Sequence, residues 1–216
     1  MSFLIDPYKS TPLCEIMGRQ GSDKGHSDFA FCQIHNYTLL YHQLFEHLCD
    51  EPIRIFELGL GTHNVNIPSA MAHMYIAGGS LRGWAEYFPK AKVYGADIDH
   101  EILFEEPRIM TYFCDQTNPY IIKTLWDHKE LEESFDIIID DGLHTFDANV
   151  CFFENSIHKI KKGGFYIIED INPTDYILFE DKIQVWKKMY PLLEFWLFKL
   201  PSLRNQVDNN VMVILS

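Results

Sequence analysis

Apolar runs alternate with amphipathic segments along most of this chain. Seven runs have the length and apolar content of β-strands, and they cover residues 53–58, 92–97, 109–113, 135–140, 164–169, 193–199 and 210–215. Segments with helical spacing lie between most of them, at residues 81–88, 121–131, 147–160 and 176–189. Strands this apolar are typical of sheets covered on both faces, so the alternation predicts an α/β, doubly wound and mostly parallel sheet.

The last two predicted strands break this rhythm. Only a loop separates residues 193–199 from residues 210–215, and that loop is too short for a helical crossover. We therefore expect these two strands to pair in an antiparallel arrangement.

The N-terminal part of the chain differs from the rest. Residues 1–50 precede the first predicted strand and form a helical preface, which we assign to the same domain as residues 51–216. The glycine-flanked segment 18–25 is loop-like. Within it, Asp23 and Lys24 could order the preface over a ligand as a lid, although a plain connecting loop is equally consistent with the residues.

Acidic residues gather where two of the predicted strands end. Asp140 and Asp141 close the fourth strand and His144 follows three residues later, while Glu169 and Asp170 close the fifth. Open α/β sheets bind ligands at the carboxyl ends of their strands, so these side chains form a candidate site. Oxygen ligands without cysteine suit Mg²⁺ or Ca²⁺ better than Zn²⁺, and a histidine beside them can act as a base. Solvated acids at strand ends remain the alternative.

A second group of strand ends resembles a nucleoside site. Glu57 is followed by Gly59 and Gly61, whose missing side chains let the backbone approach a ligand closely. Asp97 ends the second strand, where a carboxylate can accept both hydroxyls of a ribose, and Asp115 follows the third, where it could accept from an adenine amine. Asp97 lies 36 residues after Gly61, rather than the roughly 20 of an NAD-binding fold, which argues against a dehydrogenase.

Composition narrows the functional classes. A chain of 216 residues that is 47% hydrophobic fits one globular domain. The net charge of −13 argues against binding to nucleic acid, and no run of about eighteen apolar residues predicts a membrane span. The N-terminus lacks the pattern of a secretory signal, and five scattered cysteines indicate reduced thiols, so we expect a cytoplasmic protein.

In these motifs the chain resembles class I S-adenosylmethionine-dependent methyltransferases. It is most similar to the macrocin and mycinamicin O-methyltransferase group and to bacterial relatives linked to surface polysaccharides. The resemblance is carried by residues 22–25, 35–37, 57–61, 80–84, 87–89, 95–99, 115–117, 140–144 and 168–170. It implies a seven-stranded Rossmann-like sheet whose last strand is antiparallel.

The resemblance also implies roles for individual residues. Asp141 and His144 match the Asp-x-x-His motif of the group, which implies a catalytic pair of metal-bound carboxylate and general base. The implied Mg²⁺ ligands are Asp141, Glu169 and Asp170. The implied S-adenosylmethionine contacts are Glu57, Gly59, Gly61, Asp97, Asp115, Gln116 and Asp140, although Asp140 could instead support the loop that follows it.

These inferences lead to one principal hypothesis. The chain is expected to be a Mg²⁺-dependent O-methyltransferase that acts on a sugar hydroxyl with a neighbouring hydroxyl, on a small-molecule sugar or nucleotide-sugar, in surface-glycan or glycosylated-metabolite biosynthesis. A catechol or phenol acceptor is the alternative chemistry, and a non-catalytic cofactor-binding module is the alternative class. The aromatic-rich preface could supply an interface for a homo-oligomer.

Overall fold

One mixed β-sheet organises the computed structural model, which describes residues 3, 5–25, 35–201 and 209–216. Eight strands occur among these residues: β1 (Arg54–Leu58), β2 (Lys92–Asp97), β3 (Glu105–Glu106), β4 (Ile109–Phe113), β5 (Phe135–Asp140), β6 (Ile160–Ile168), β7 (Glu194–Lys199) and β8 (Asn210–Leu215). Six α-helices accompany them: α1 (Pro12–Arg19), α2 (Tyr37–Phe45), α3 (Gly79–Tyr87), α4 (Pro119–Trp126), α5 (Phe146–Ser156) and α6 (Pro173–Met189). Residues 1–2, 4 and 26–34 of the predicted preface lie outside the described residues.

The strand order is β3-β4-β2-β1-β5-β6-β8-β7. Strands β4, β2, β1, β5 and β6 are parallel, while β8 lies antiparallel between β6 and β7. The doubly wound, mostly parallel fold and the antiparallel pairing of the last two strands are therefore confirmed. The count of seven omitted β3, a strand of two exposed glutamates that pairs with β4 and carries no apolar signal.

The start of β6 differs from the prediction. Helix α5 ends at Ser156, a 3-10 turn follows at Ile157–Lys159, and the polar residues 161–164 already belong to β6. The pairing is irregular there: the register between β5 and β6 shifts between Phe135 and Ile137, and Gly163 has a positive φ of 79°. Lys161 pairs with Asp136 of β5 at 2.7 Å, which gives this polar stretch a partner within the sheet.

Hydrophobic residues cover both faces of the sheet. On one face, helices α1, α2 and α3 pack around the fully buried Trp84. On the other face, α4, α5 and α6 pack around Trp126 and Trp186. Burial on both faces explains why the central strands have continuous apolar sequences.

Two consequences of this topology position the site. The five parallel strands all end at one edge of the sheet, and the crossovers change direction between β1 and β5, where open α/β sheets form a crevice.

None of the helices in the described part of the chain is long and apolar enough to cross a membrane.

Candidate active site

A cavity of about 300 Å³ opens at this edge of the sheet. Among the residues singled out in the sequence, its wall contains Gly59, Gly61, Asp97, Asp115, Gln116, Asp141, His144 and Asp170. Glu57, Asp140 and Glu169 are not part of the wall. Residues from the loop after β1, including Ile67 and Met71, close one side, as expected for a segment inserted before α3.

The glycine turn after β1 is the most tightly constrained part of the cavity. Gly59 has φ +93°, and a Cβ added there would overlap the carbonyl oxygen of Asp141. The Leu60 amide donates to Asp97 at 2.7 Å, which ties the turn to the end of β2. Glycine therefore lets the turn after β1 pack directly against the turn after β5, and both turns line the cavity.

The two acids predicted to hold a nucleoside both reach the cavity. Asp97 also accepts from the Asp99 amide at 2.9 Å, and burial raises the pKa of Asp97 despite these hydrogen bonds. Asp115 accepts from the amide and the hydroxyl of Thr117, at 2.9 and 2.6 Å. The structure thus places both carboxylates on the wall, each fixed by its own turn.

Glu57 lies outside the cavity wall, and its predicted role as a cofactor contact stays a prediction. Its side chain is fully buried beneath the cavity and accepts hydrogen bonds from Ser80 and from the Trp84 indole, the latter at 2.5 Å. Both donors belong to α3, so the Glu57 side chain faces that helix. Glu57 therefore fixes α3 against β1.

Asp140 also lies away from the cavity wall. It is fully buried and accepts from Gln116 at 2.6 Å and from Asn149 at 3.0 Å, while burial raises its pKa to about 7. The Gln116 side chain in turn accepts from the Leu143 amide at 2.7 Å. Asp140 thus supports the turn after β5, as the alternative interpretation of the sequence held, and the cofactor contact predicted for it stays a prediction.

The supported turn delivers Asp141 and His144 to the cavity. His144 has φ +58°, and Asp170 after β6 has φ +53°, a left-handed conformation that is uncommon outside glycine and concentrates at functional sites. The His144 Nε2 atom lies 3.3 Å from an Asp141 oxygen and 3.5 Å from an Asp170 oxygen. One ligand atom from each of the three residues lies within 4.8 Å of the others, a spacing that could hold a metal ion.

The protonation of His144 depends strongly on the two carboxylates beside it. Burial alone would lower the pKa of His144, but the carboxylates of Asp170 and Asp141 outweigh it and raise that pKa to about 10. Asp170 also accepts from the Tyr37 hydroxyl at 2.6 Å, and the His35 ring lies 3.4 Å from the same oxygen. The two carboxylates therefore attract positive charge strongly, and without another cation the imidazole carries it.

Glu169 faces a different partner. One of its oxygens accepts from the Lys24 ammonium at 2.6 Å and the other from the Tyr41 hydroxyl at 2.5 Å. Lys24 also contacts Asp141 and lies 3.7 Å from Glu57. Burial alone would lower the pKa of Lys24, but Asp141, Glu169 and Glu57 raise it well above its usual value.

Sequence reasoning missed this buried lysine as a site residue. Lys24 is only 1% exposed, although it belongs to a segment that was expected to be a loop or a lid. Neither the hydrophobic periodicity nor the charge pattern of the sequence indicates that this loop contacts Asp141 and Glu169. Its place in one of the motifs that carry the resemblance was the only available signal.

The chain is similar in sequence to known O-methyltransferases. The chain is 34% identical over 168 residues to the 8-demethyl-8-alpha-L-rhamnosyl tetracenomycin-C 2'-O-methyltransferase of Streptomyces olivaceus, covering 78% of this chain and 40% of that protein. It is 33% identical to the demethylmacrocin O-methyltransferase of Streptomyces fradiae, with 64% of this chain and 32% of that protein covered. The chain thus spans about two fifths or less of the length of these relatives. No family profile matches it.

The fold has a solved counterpart. The MycE methyltransferase of mycinamycin biosynthesis, in complex with Mg and SAH, superposes with a TM-score of 0.69 at 22% identity, covering 96% of this chain and 55% of that chain. At this identity the likeness concerns the fold alone. The chain is thus similar in sequence to these tetracenomycin and macrocin O-methyltransferases over the part of them that it matches, and it shares its fold with the MycE methyltransferase.

Proposed function

We propose that this chain transfers a methyl group from S-adenosylmethionine to a sugar hydroxyl, with the help of a divalent cation. The observation that carries the proposal is the group formed by Asp141, His144 and Asp170, which opens into the cavity beside the glycine turn. A base and oxygen ligands next to a nucleoside-sized cavity are the parts that activation of a hydroxyl requires.

The cavity suits the adenosyl part of the cosubstrate. Gly59 and Gly61 contribute backbone to the wall, and Asp97 and Asp115 place carboxylates at two further points of it. Carboxylates in these positions can accept hydrogen bonds from ribose hydroxyls and from an adenine amine. Asp141 and Asp170, which also line the cavity, add negative charge that complements the cationic sulfonium.

The same two carboxylates fit a magnesium ion. Asp141 and Asp170 present oxygens close together, and their charge is strong enough to protonate His144, so the site has an excess of negative charge that a dication would balance. Glu169, the third ligand inferred from the sequence, is paired with Lys24 and Tyr41 in this structure. When bound, the ion would stabilise the alkoxide that develops on the acceptor oxygen.

His144 is the residue we assign to proton transfer. Its side chain is one-third exposed at the cavity wall, but the Nε2 atom is buried and faces Asp141 and Asp170, so an acceptor hydroxyl would approach the other edge of the ring. A dication on the two carboxylates would displace the proton that His144 otherwise carries, and the neutral imidazole could then take the hydroxyl proton while the oxygen forms a bond to the methyl carbon and the electrons of the carbon–sulfur bond remain on sulfur. Rigid support from Asp140 and Gln116 keeps the turn that carries His144 in place for this step.

The acceptor class follows from the relatives. Their names place methylation at hydroxyls of sugars attached to polyketides, including the 2' position of a rhamnosyl group. We therefore assign to this chain a hydroxyl on a glycosylated small molecule, in preference to a surface polysaccharide or a nucleotide-sugar. A sugar with a neighbouring hydroxyl offers a second oxygen to the ion.

An acceptor panel tests this assignment. The chain is incubated with methyl-labelled S-adenosylmethionine and with a rhamnosylated polyketide, a nucleotide-sugar, an oligosaccharide and a catechol. We expect label on the glycoside, and a rate about 10-fold or more lower on a matched deoxy-glycoside that lacks the neighbouring hydroxyl. Label on the catechol but on no sugar would contradict the proposed acceptor, and cosubstrate binding without transfer to any acceptor would indicate a binding module.

A further inference from the structure

Lys24 is a buried cation that the proposed mechanism does not use. Its ammonium contacts one oxygen of Asp141 and one oxygen of Glu169, and the whole residue is 1% exposed. His144 approaches the other oxygen of Asp141. Asp141 thus lies between two positively charged groups, one on either side.

The position of this ammonium is fixed by its own loop. The Thr38 amide at the start of α2 donates to the Lys24 carbonyl at 3.2 Å, and the Lys24 amide donates to the Ser22 hydroxyl at 3.2 Å. A Cβ added at the next residue, Gly25, would lie 3.0 Å from the carbonyl oxygen of Cys14 in α1. The loop is therefore packed against two helices, and Lys24 reaches the acids from a defined direction.

Electrostatics explain why a cation is needed there. Glu57 and Glu169 are almost completely buried, and Asp141 is mostly buried. Buried carboxylates close to one another are strongly unfavourable unless they are paired. Lys24 supplies that pairing without any ion, so the acids can be held in place before a metal arrives.

We propose, as an inference that rests on the proposed function, that Lys24 and the divalent cation compete for Asp141 and Glu169. Lys24 is then a positioning residue: it holds these acids in the metal-free protein and gives up at least part of its pairing when the ion binds. Because Lys24 belongs to the loop of residues 20–25, this competition couples metal binding to the N-terminal segment beside the cavity, whose wall includes Asp23.

Calorimetric titration with Mg²⁺ tests the competition without any assay of activity. The variant Lys24→Met keeps the length of the side chain but removes the charge, so Mg²⁺ is expected to bind about tenfold or more tightly than to the wild type. Lys24→Arg keeps the charge and is expected to bind Mg²⁺ with nearly wild-type affinity. Lys9→Met removes an exposed lysine of the same segment and serves as the matched control.

The two ways of failing are distinguishable. Unchanged or weaker Mg²⁺ binding by folded Lys24→Met would overturn the competition while leaving the proposed function intact. A wild-type chain that methylates sugars but binds no Mg²⁺ would remove the metal from the proposed function.

Hydrogen exchange provides a second readout that needs no variant. In the wild type, saturating Mg²⁺ is expected to accelerate amide exchange in residues 20–25, because the pairing that anchors the loop is weakened. If Lys24→Met does not fold, this measurement decides alone. Exchange in residues 20–25 that stays unchanged or slows in Mg²⁺ would then overturn the proposal.

Discussion

The variant His144→Asn is expected to transfer methyl groups about 10²- to 10⁴-fold more slowly than the wild type, because it lacks a group that accepts the hydroxyl proton. Asparagine is the suitable replacement since it tolerates the left-handed backbone of this position, at φ +58°. The turn after β5 should therefore keep its shape. The affinity for S-adenosylmethionine should change little, because the glycine turn and Asp97 are untouched.

Two measurements complete this test. Initial rates at saturating acceptor report the chemical step, and cosubstrate titration reports whether the cavity is intact. His47→Ala, which removes an exposed histidine after α2, is the matched control and should retain the wild-type rate. A rate for His144→Asn within about twofold of the wild type would remove His144 as the base.

The variant Gly59→Ala is expected to lose about 3 kcal/mol or more of stability and to abolish binding of S-adenosylmethionine. Two causes add at this position. Gly59 has a positive φ, and its added Cβ would overlap the backbone of Asp141. Relief of that overlap must move either the glycine turn or the turn after β5, and both line the cavity.

Gly163 offers the control for the backbone conformation alone. It has φ +79°, similar to the +93° of Gly59, but nothing lies within 4 Å of the Cβ that alanine would add. Gly163→Ala should therefore cost only ~1–2 kcal/mol, from the left-handed conformation. Chemical denaturation measures both variants. Equal losses would show that the close approach at Gly59 is not what the site depends on.

Much of the fold could be predicted because its strands are buried on both faces. The runs that became β2, β4, β5 and β8 have the same bounds in the structure as in the sequence prediction. Strand segments that are not buried have no apolar pattern in the sequence, and their bounds were not predicted. Strand β3 consists of two exposed glutamates, and the polar start of β6 resembled a helix end although Lys161 pairs with Asp136 across the sheet.

The site was predictable in part for a similar reason. Parallel strands end at one edge, so Asp141, His144 and Asp170 could be expected to meet there, and they do. Which way each neighbouring side chain points depends on local twist and packing. The side chains of Glu57 and Asp140 point away from the cavity, where Glu57 supports α3 and Asp140 supports the turn after β5. The role of Lys24 depends on a contact with residues 117 and 145 positions away, which no local pattern encodes.

The claim on which the proposed function depends is that a divalent cation at Asp141 and Asp170 assists removal of the proton from the acceptor hydroxyl. The most direct measurement is the initial rate of methyl transfer to a sugar acceptor after treatment with a chelator, and again after Mg²⁺ is restored. We expect the rate to fall about 100-fold or more in chelator and to recover fully with Mg²⁺. The same rate with and without chelator would contradict the claim.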